Sequence, residues 1–200
     1  DVYKRQALAS LQDELVDAGP LAGITLGLPL SATLGAVGLQ TPSGRAGWMG
    51  FPAKDWLEER LGVPVHVEND VNLMALGEQL ERHDAPDLML LHAGEGIGVG
   101  VVAAGTLVRG NTGQAGEIAH VPAIRRPDEP CLCGNVGCLG AVASVPGILK
   151  MLRAEGIDVT SFDDLMARVT SGDSTVAQTL RQAGRDVGDV MVYACLLYTS

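Results

Sequence analysis

Three cysteines fall within eight residues, Cys131-x-Cys133-x4-Cys138, and ten residues separate the first of them from His120. No other pattern in the chain narrows its fold as much, because four donor groups of this kind are useful only when brought to one point. Three thiolates and an imidazole form a four-coordinate tetrahedral set suited to zinc, and soft sulfur disfavours magnesium or calcium. Gly134 and Gly137 let the backbone turn sharply enough to aim the ligands. The alternatives are buried free thiols or a disulfide, but a Cys-x-Cys pair is awkward to bridge locally. With four protein ligands the expected zinc is structural, with no open position for water.

The remaining chain must build a scaffold around that point. It has 200 residues, 46% of them hydrophobic, which is ordinary for a globular chain and argues against disorder. No apolar run reaches the roughly 18 residues of a membrane span. The formal charge of −10 would repel phosphate backbones, so this segment is not expected to grip DNA itself. The first six residues, Asp1 to Gln6, and the last six, Cys195 to Ser200, resemble translated sequencing-adapter tails. They are read as artefact, which leaves three native cysteines and a gene product that continues in both directions. The alternative is that these residues simply open and close helices.

Lys4 to Ala18 is expected to be an amphipathic helix, and Leu21 to Leu28 a buried strand stopped by Pro29. Ser31 to Phe51 reads as loop, with a hairpin near Val37 to Thr41. Pro52 to Leu61 is a helix with Pro52 in its first turn and Trp56 and Leu57 inward. Val63 to Val67 is a strand, and Asp70 to Glu81 a helix. Asp87 to His92 is a strand leading into the glycine-rich run Gly94 to Gly100, followed by a hairpin about Ala104-Gly105. Helices follow near Cys138 to Ala154, Ser161 to Arg168 and Ser174 to Tyr193. Strands alternating with helices before Glu81, and a second strand set after Asp87, predict an α/β chain of two lobes, 1–86 and 87–200, joined around His83 to Pro86.

Asn69 and Asp70 stand where a strand ends and a helix begins, the place where ligands gather in open α/β sheets. Asp70 there suits a base that accepts a hydroxyl proton, or else is a plain N-cap. Glu117 lies three residues before His120, and an imidazole bound to metal through one nitrogen keeps the other for a ligand. His66, His83 and His92 have no such companions in sequence, Arg125-Arg126 reads as a solvated pair, and Trp48 and Trp56 as packing beneath a cleft.

The segments VENDVNLMALGE (Val67 to Glu78), GEGIGVGVVAAGTLVRG (Gly94 to Gly110) and GQAGEIAHV (Gly113 to Val121), followed by CLCGNVGCLG (Cys131 to Gly140), resemble the ROK family of repressors, open reading frames and kinases. The resemblance implies an actin-like (ribonuclease H-like), two-lobed ATPase/sugar-kinase fold, present here as a fragment, with a sugar held between the lobes. It implies sugar contacts from Asn69, Asp70, Glu117 and His120, a catalytic role for Asp70 in the kinase branch, and a phosphate loop at Gly94, Gly96 and Gly98. His120, Cys131, Cys133 and Cys138 take its zinc positions.

Three departures separate this chain from the kinases of the family. Glu95 replaces the threonine of the phosphate loop, Gly140 replaces a sugar-contacting glutamate, and Leu30 follows Pro29 where glycine is usual. A carboxylate facing phosphate oxygens is repulsive. The expected function is therefore the sugar-binding effector module of a ROK-type transcriptional regulator, with DNA contacted only through a missing N-terminal domain. The alternative is an ATP-dependent hexose kinase, which alone would require ATP and Mg2+. The resemblance further implies a cytoplasmic homodimer or higher homo-oligomer that binds a hexose or hexose derivative.

Overall fold

The computed structural model describes residues 21–29, 32–33, 36–37, 52–82 and 84–198. The expected helix at Lys4 to Ala18, Trp48 and the residue His83 in the expected joint lie outside them.

Strand β1, Ile24–Leu28, pairs in parallel with β4, Val65–Asn69, in a register running from Ile24 opposite Val65 to Leu28 opposite Asn69. A parallel pair needs a crossover connection, and the nine-residue helix α1, Ala53–Leu61, lies within it. Ala53 and Leu57 are buried on its inner face, whereas Trp56 is half-buried and stacks under the Arg60 guanidinium at 4.2 Å. Pro52 caps α1 rather than entering its first turn. Its carbonyl accepts the first helical bond, from the Trp56 N–H at 3.0 Å, so the helix begins one residue later than expected. A small hairpin of β2, Ala32–Thr33, and β3, Ala36–Val37, stands before the expected Val37 to Thr41 turn, and of that turn only Val37 is described.

The helix α2, Asp70–Glu81, matches its expected span and touches both β1/β4 and the second sheet. That second sheet has the order β5, Leu88–Ala93; β6, Ile97–Ala103; β7, Thr106–Leu107, all antiparallel. Ala104 and Gly105 both have positive φ, 49° and 74°, as a primed two-residue hairpin turn requires. The glycine-rich run is loop only at 94–96. From Ile97 it is strand, because Ile97, Val99 and Val101 alternate into the core at period two.

The expected helix at Cys138 to Ala154 is two, α3, Leu139–Ala143, and α4, Val145–Ala154. Ser144 between them is extended, and Pro146 has no N–H to continue the ladder. Helices α5, Phe162–Thr170, and α6, Ser174–Tyr198, complete the described chain, α6 running on through Cys195. Val176, Ala183 and Val190 of α6 are buried with Leu180 and Val187 beside them, the stripe its spacing predicts. They join Val99, Ile118, Leu139, Val142, Leu152 and Leu165 in one apolar cluster under β6. Among the described residues no helix is long and apolar enough to cross a membrane.

Candidate functional site

The β4–α2 junction is built by three successive polar residues with different tasks. Asn69 caps α2, its Oδ1 accepting from the N–H groups of Val71 at 2.8 Å and Asn72 at 3.0 Å. Because Asn69 does the capping, Asp70 is not the N-cap; among the described residues its carboxylate accepts one hydrogen bond, from Val71 N–H at 2.9 Å. Glu68 is turned inward and buried. Its Oε1 accepts from Asn69 N–H at 2.9 Å and Asn72 Nδ2 at 3.0 Å, and its Oε2 from Arg109 Nε at 2.7 Å. Burial works to raise the Glu68 carboxyl, but the donors from Asn72, Asn69 and Arg109 outweigh it and hold the group below the usual carboxylate range.

Glu117 comes from the loop that follows the second sheet. Gly116 before it has φ of 89°, and a Cβ there would lie 1.8 Å from the Val99 carbonyl, so only glycine fits. The Gly116 carbonyl in turn accepts Val99 N–H at 3.0 Å, which fastens this loop to β6. Burial pushes the Glu117 carboxyl above its ordinary value; His120 nearby opposes that shift and the Asp70 carboxylate adds to it.

His120 ends a single 3-10 turn, Ile118–His120. One ligand atom from each of His120, Cys131, Cys133 and Cys138 lies within 4.8 Å of the others. Cys133 Sγ is 3.7 Å from Cys138 Sγ, and Cys131 Sγ is 3.9 Å from His120 Nδ1. Tetrahedral zinc bonds of ordinary length imply donor separations of about 3.6–3.8 Å, so the set fits such an ion. The thiols also behave as a crowd that wants a cation. Burial and the neighbouring Cys131 and Cys133 push the Cys138 thiol up to about 12. Cys133 is held below its usual value because donors from Asn135, Cys131 and Cys138 outweigh its burial. Gly134 and Gly137 both have positive φ, as the turn about the site requires.

These elements enclose a cleft of about 660 Å³. Asn69, Asp70, Glu117, His120, Gly96 and Gly98 all line it; Gly94 does not, its N–H being tied to the Gly96 carbonyl at 2.9 Å. Glu95, Pro29 and Gly140 line it too, so each of the positions where the sequence departs from kinases, or adjoins a departure, faces the cleft. The sequence reading missed His92, Ser144 and Lys150, which also line it. His92 sits near the carboxyl end of β5, and that position was the available signal. Trp56 does not line the cleft. Arg125 is an exposed loop residue as expected, but it is tethered: one Nη bonds buried Asp186 and exposed Asp189 of α6, both at 2.8 Å.

Comparison with known proteins follows the same lines. The family model for the ROK family matches residues 6–199. A glucokinase of Halalkalibacterium halodurans is 44% identical over 113 residues, 56% of this chain and 34% of that protein. A putative xylose repressor of a Caldicellulosiruptor species is 34% identical over 157 residues, 74% of this chain and 38% of that protein. The chain thus spans about a third of the length of these relatives. The ROK hexokinase of Thermus thermophilus superposes with a TM-score of 0.76 at 28% identity, over 96% of this chain and 64% of that one. The fold is accordingly the mixed α/β, actin-like fold of ROK sugar kinases, and the chain belongs to the ROK family.

Proposed function

We propose that this chain is the sugar-binding effector part of a ROK transcriptional regulator, with the DNA-binding part outside it. The observation that carries the reading is the convergence of Asn69 and Asp70 from the β4–α2 junction, Glu117 from the loop fastened to β6, and His120 of the zinc segment on one cleft. Two carboxylates, an amide and an imidazole match the many donors and acceptors of a sugar, and the similarity to a xylose repressor over 74% of the chain supports the regulatory branch. In this reading the lobes 1–86 and 87–200 close on the sugar. A ligand shifts that equilibrium only through contacts that differ between open and closed states, and residues drawn from both sides supply them.

A structural zinc belongs to the same reading. When bound at His120, Cys131, Cys133 and Cys138 it would fix the loop and the orientation of the imidazole, leaving His120 Nε2 for a sugar hydroxyl. Elemental analysis is expected to find one zinc per chain. The cytoplasmic, homo-oligomeric state belongs to this reading as well.

The 44% identity to a glucokinase over 113 residues favours a second reading, an ATP-dependent hexose kinase. Asp70 would then take the proton of the attacking hydroxyl, and ATP with Mg2+ would be required. Glu95 weighs against it, since a carboxylate beside Gly96 and Gly98 repels phosphate. Calorimetry with D-glucose and D-xylose, run beside a coupled assay for ADP release on the full-length protein, separates the two. Sugar binding without ADP release is expected. Hexose- and Asp70-dependent release at about 1–100 s⁻¹ would establish the kinase instead.

A further inference from the structure

The carboxylate of Glu68 is 4% exposed, yet its partner Arg109 is attached 41 residues away, just beyond β7. The bond therefore joins the end of one sheet to the segment that leaves the other. On the first side, the same carboxylate holds Asn69 N–H and Asn72 Nδ2, which flank Asp70. On the second, the Arg109 carbonyl accepts Ala115 N–H at 3.1 Å, one residue before the Gly116 that seats Glu117 against β6. The described residues give Glu68 two other charged or titratable neighbours in reach of its carboxylate: Arg109 and, at 3.9 Å, the largely exposed His66. Neither Glu68 nor Arg109 lines the cleft.

We propose that Glu68 and Arg109 form a strut whose task is to hold the Asn69–Asp70 junction in register with the Glu117 loop, making both of them positioning residues of the sugar site. A salt bridge of this kind adds little to stability by itself, because the Arg109 side chain is 46% exposed and water screens the pair. Its use as a strut is another matter, because what a strut fixes is the relation of two chain segments. The inference rests on the sugar-binding reading for its ligand arm and is independent of it for its structural arm.

The test compares four variants of the full chain: Arg109→Met, Arg109→Lys, Glu68→Gln, and Glu68→Gln with Arg109→Met. Arg109→Met leaves the buried Glu68 carboxylate without its cation and is expected to unfold at lower temperature, whereas Glu68→Gln strands only a half-exposed guanidinium and is expected to cost less. The double variant keeps a side-chain oxygen for Asn69 and Asn72 and leaves no orphan charge, so its melting temperature is expected to return towards the parent value. Its affinity for D-glucose or D-xylose is expected to stay about tenfold weaker or more, which is about 1.4 kcal/mol. Arg109→Lys is expected to recover part of that affinity, and it keeps the test open if the double variant does not fold. Recovery of affinity together with stability in the double variant would overturn the strut.

Hydrogen exchange without ligand supplies the second arm. Arg109→Met is expected to speed exchange both at 69–72 and at 115–117. Faster exchange confined to residues next to position 109 would overturn the proposal. If the parent binds neither sugar, the sugar reading fails while the exchange arm still decides the strut.

Discussion

Replacing Gly100 by alanine is expected to unseat the helix that carries half of the site. A Cβ at Gly100 would lie 2.6 Å from the Ala75 Cβ and 2.7 Å from the Val71 carbonyl oxygen. Carbon atoms rest about 3.5–4.0 Å apart, so α2 must retreat from β6 by about 1 Å. Neither neighbour can swing aside, because the Ala75 methyl has no rotamer and the Val71 oxygen belongs to the helix backbone. Overpacking of this kind costs about 1–3 kcal/mol. For a chain of this size, about 2 kcal/mol lowers the melting temperature by about 4–8 °C. Gly98 is the internal control: a Cβ there meets Val71 Cγ2 at 3.2 Å, a side-chain atom that can give. Thermal and urea unfolding of Gly100→Ala and Gly98→Ala give the comparison, and calorimetry with D-glucose follows the displacement of Asp70. A Gly100→Ala protein melting within 1 °C of its parent, or a Gly98→Ala protein equally damaged, would refute the argument.

Further outcomes follow from other parts of the structure. Glu117 is raised by burial above the ordinary glutamate value of 4.5, so the folded chain holds its proton more tightly than the unfolded one and stability falls as pH rises through the window opening near that value. Glu117→Gln is therefore expected to melt higher than the parent at pH 7 and alike at pH 4 while losing sugar affinity; no gain at pH 7 would count against it. Ser144→Ala removes the Oγ that accepts Gly147 N–H at 3.3 Å and donates to the Gly140 carbonyl at 2.6 Å, and is expected to cost about 1 kcal/mol in urea unfolding. Chelation of metal-loaded protein is expected to open 121–137 to proteolysis and lower sugar affinity, measured by mass mapping and calorimetry. In the metal-free chain a thiol reagent at pH 8 is expected to modify Cys133 before Cys138, whose thiol is held up to about 12; the reverse order would contradict the geometry.

What could be read from residues alone was whatever local chemistry dictates. The Asp70–Glu81 helix, the Ala104-Gly105 turn and the Cys/His set each declare themselves within a short window, and the structure shows all three. Asn69, Asp70, Glu117 and His120 were marked by local sequence and given sugar-contact roles by the family motifs, and all four line one cleft. Glu68 was passed over because a glutamate on a strand carries no sign of being buried; its burial depends on Arg109, far along the chain. The tether of solvated Arg125 went unseen for the same reason, its partners lying 61 and 64 residues away. The split of the helix at Ser144 shows the converse: Pro146 was visible, but whether it ends a helix or opens a new one depends on whether Ser144 is extended.

The tether of Arg125 to Asp186 and Asp189 bears on whether the zinc segment is a transplantable module. Residues 120–138 contain every donor, so the excised peptide has all it needs to capture the ion. What holds the segment against the rest of the fold lies partly elsewhere. Leu139 N–H donates to the Val121 carbonyl at 2.9 Å, and Arg125 pins the loop to α6. A graft of the loop alone would carry over metal affinity but not the placement of the loop against the rest of the fold. A designer wishing to move the cleft-facing histidine and its loop to another scaffold would have to bring along an α6 face bearing Asp186 as well.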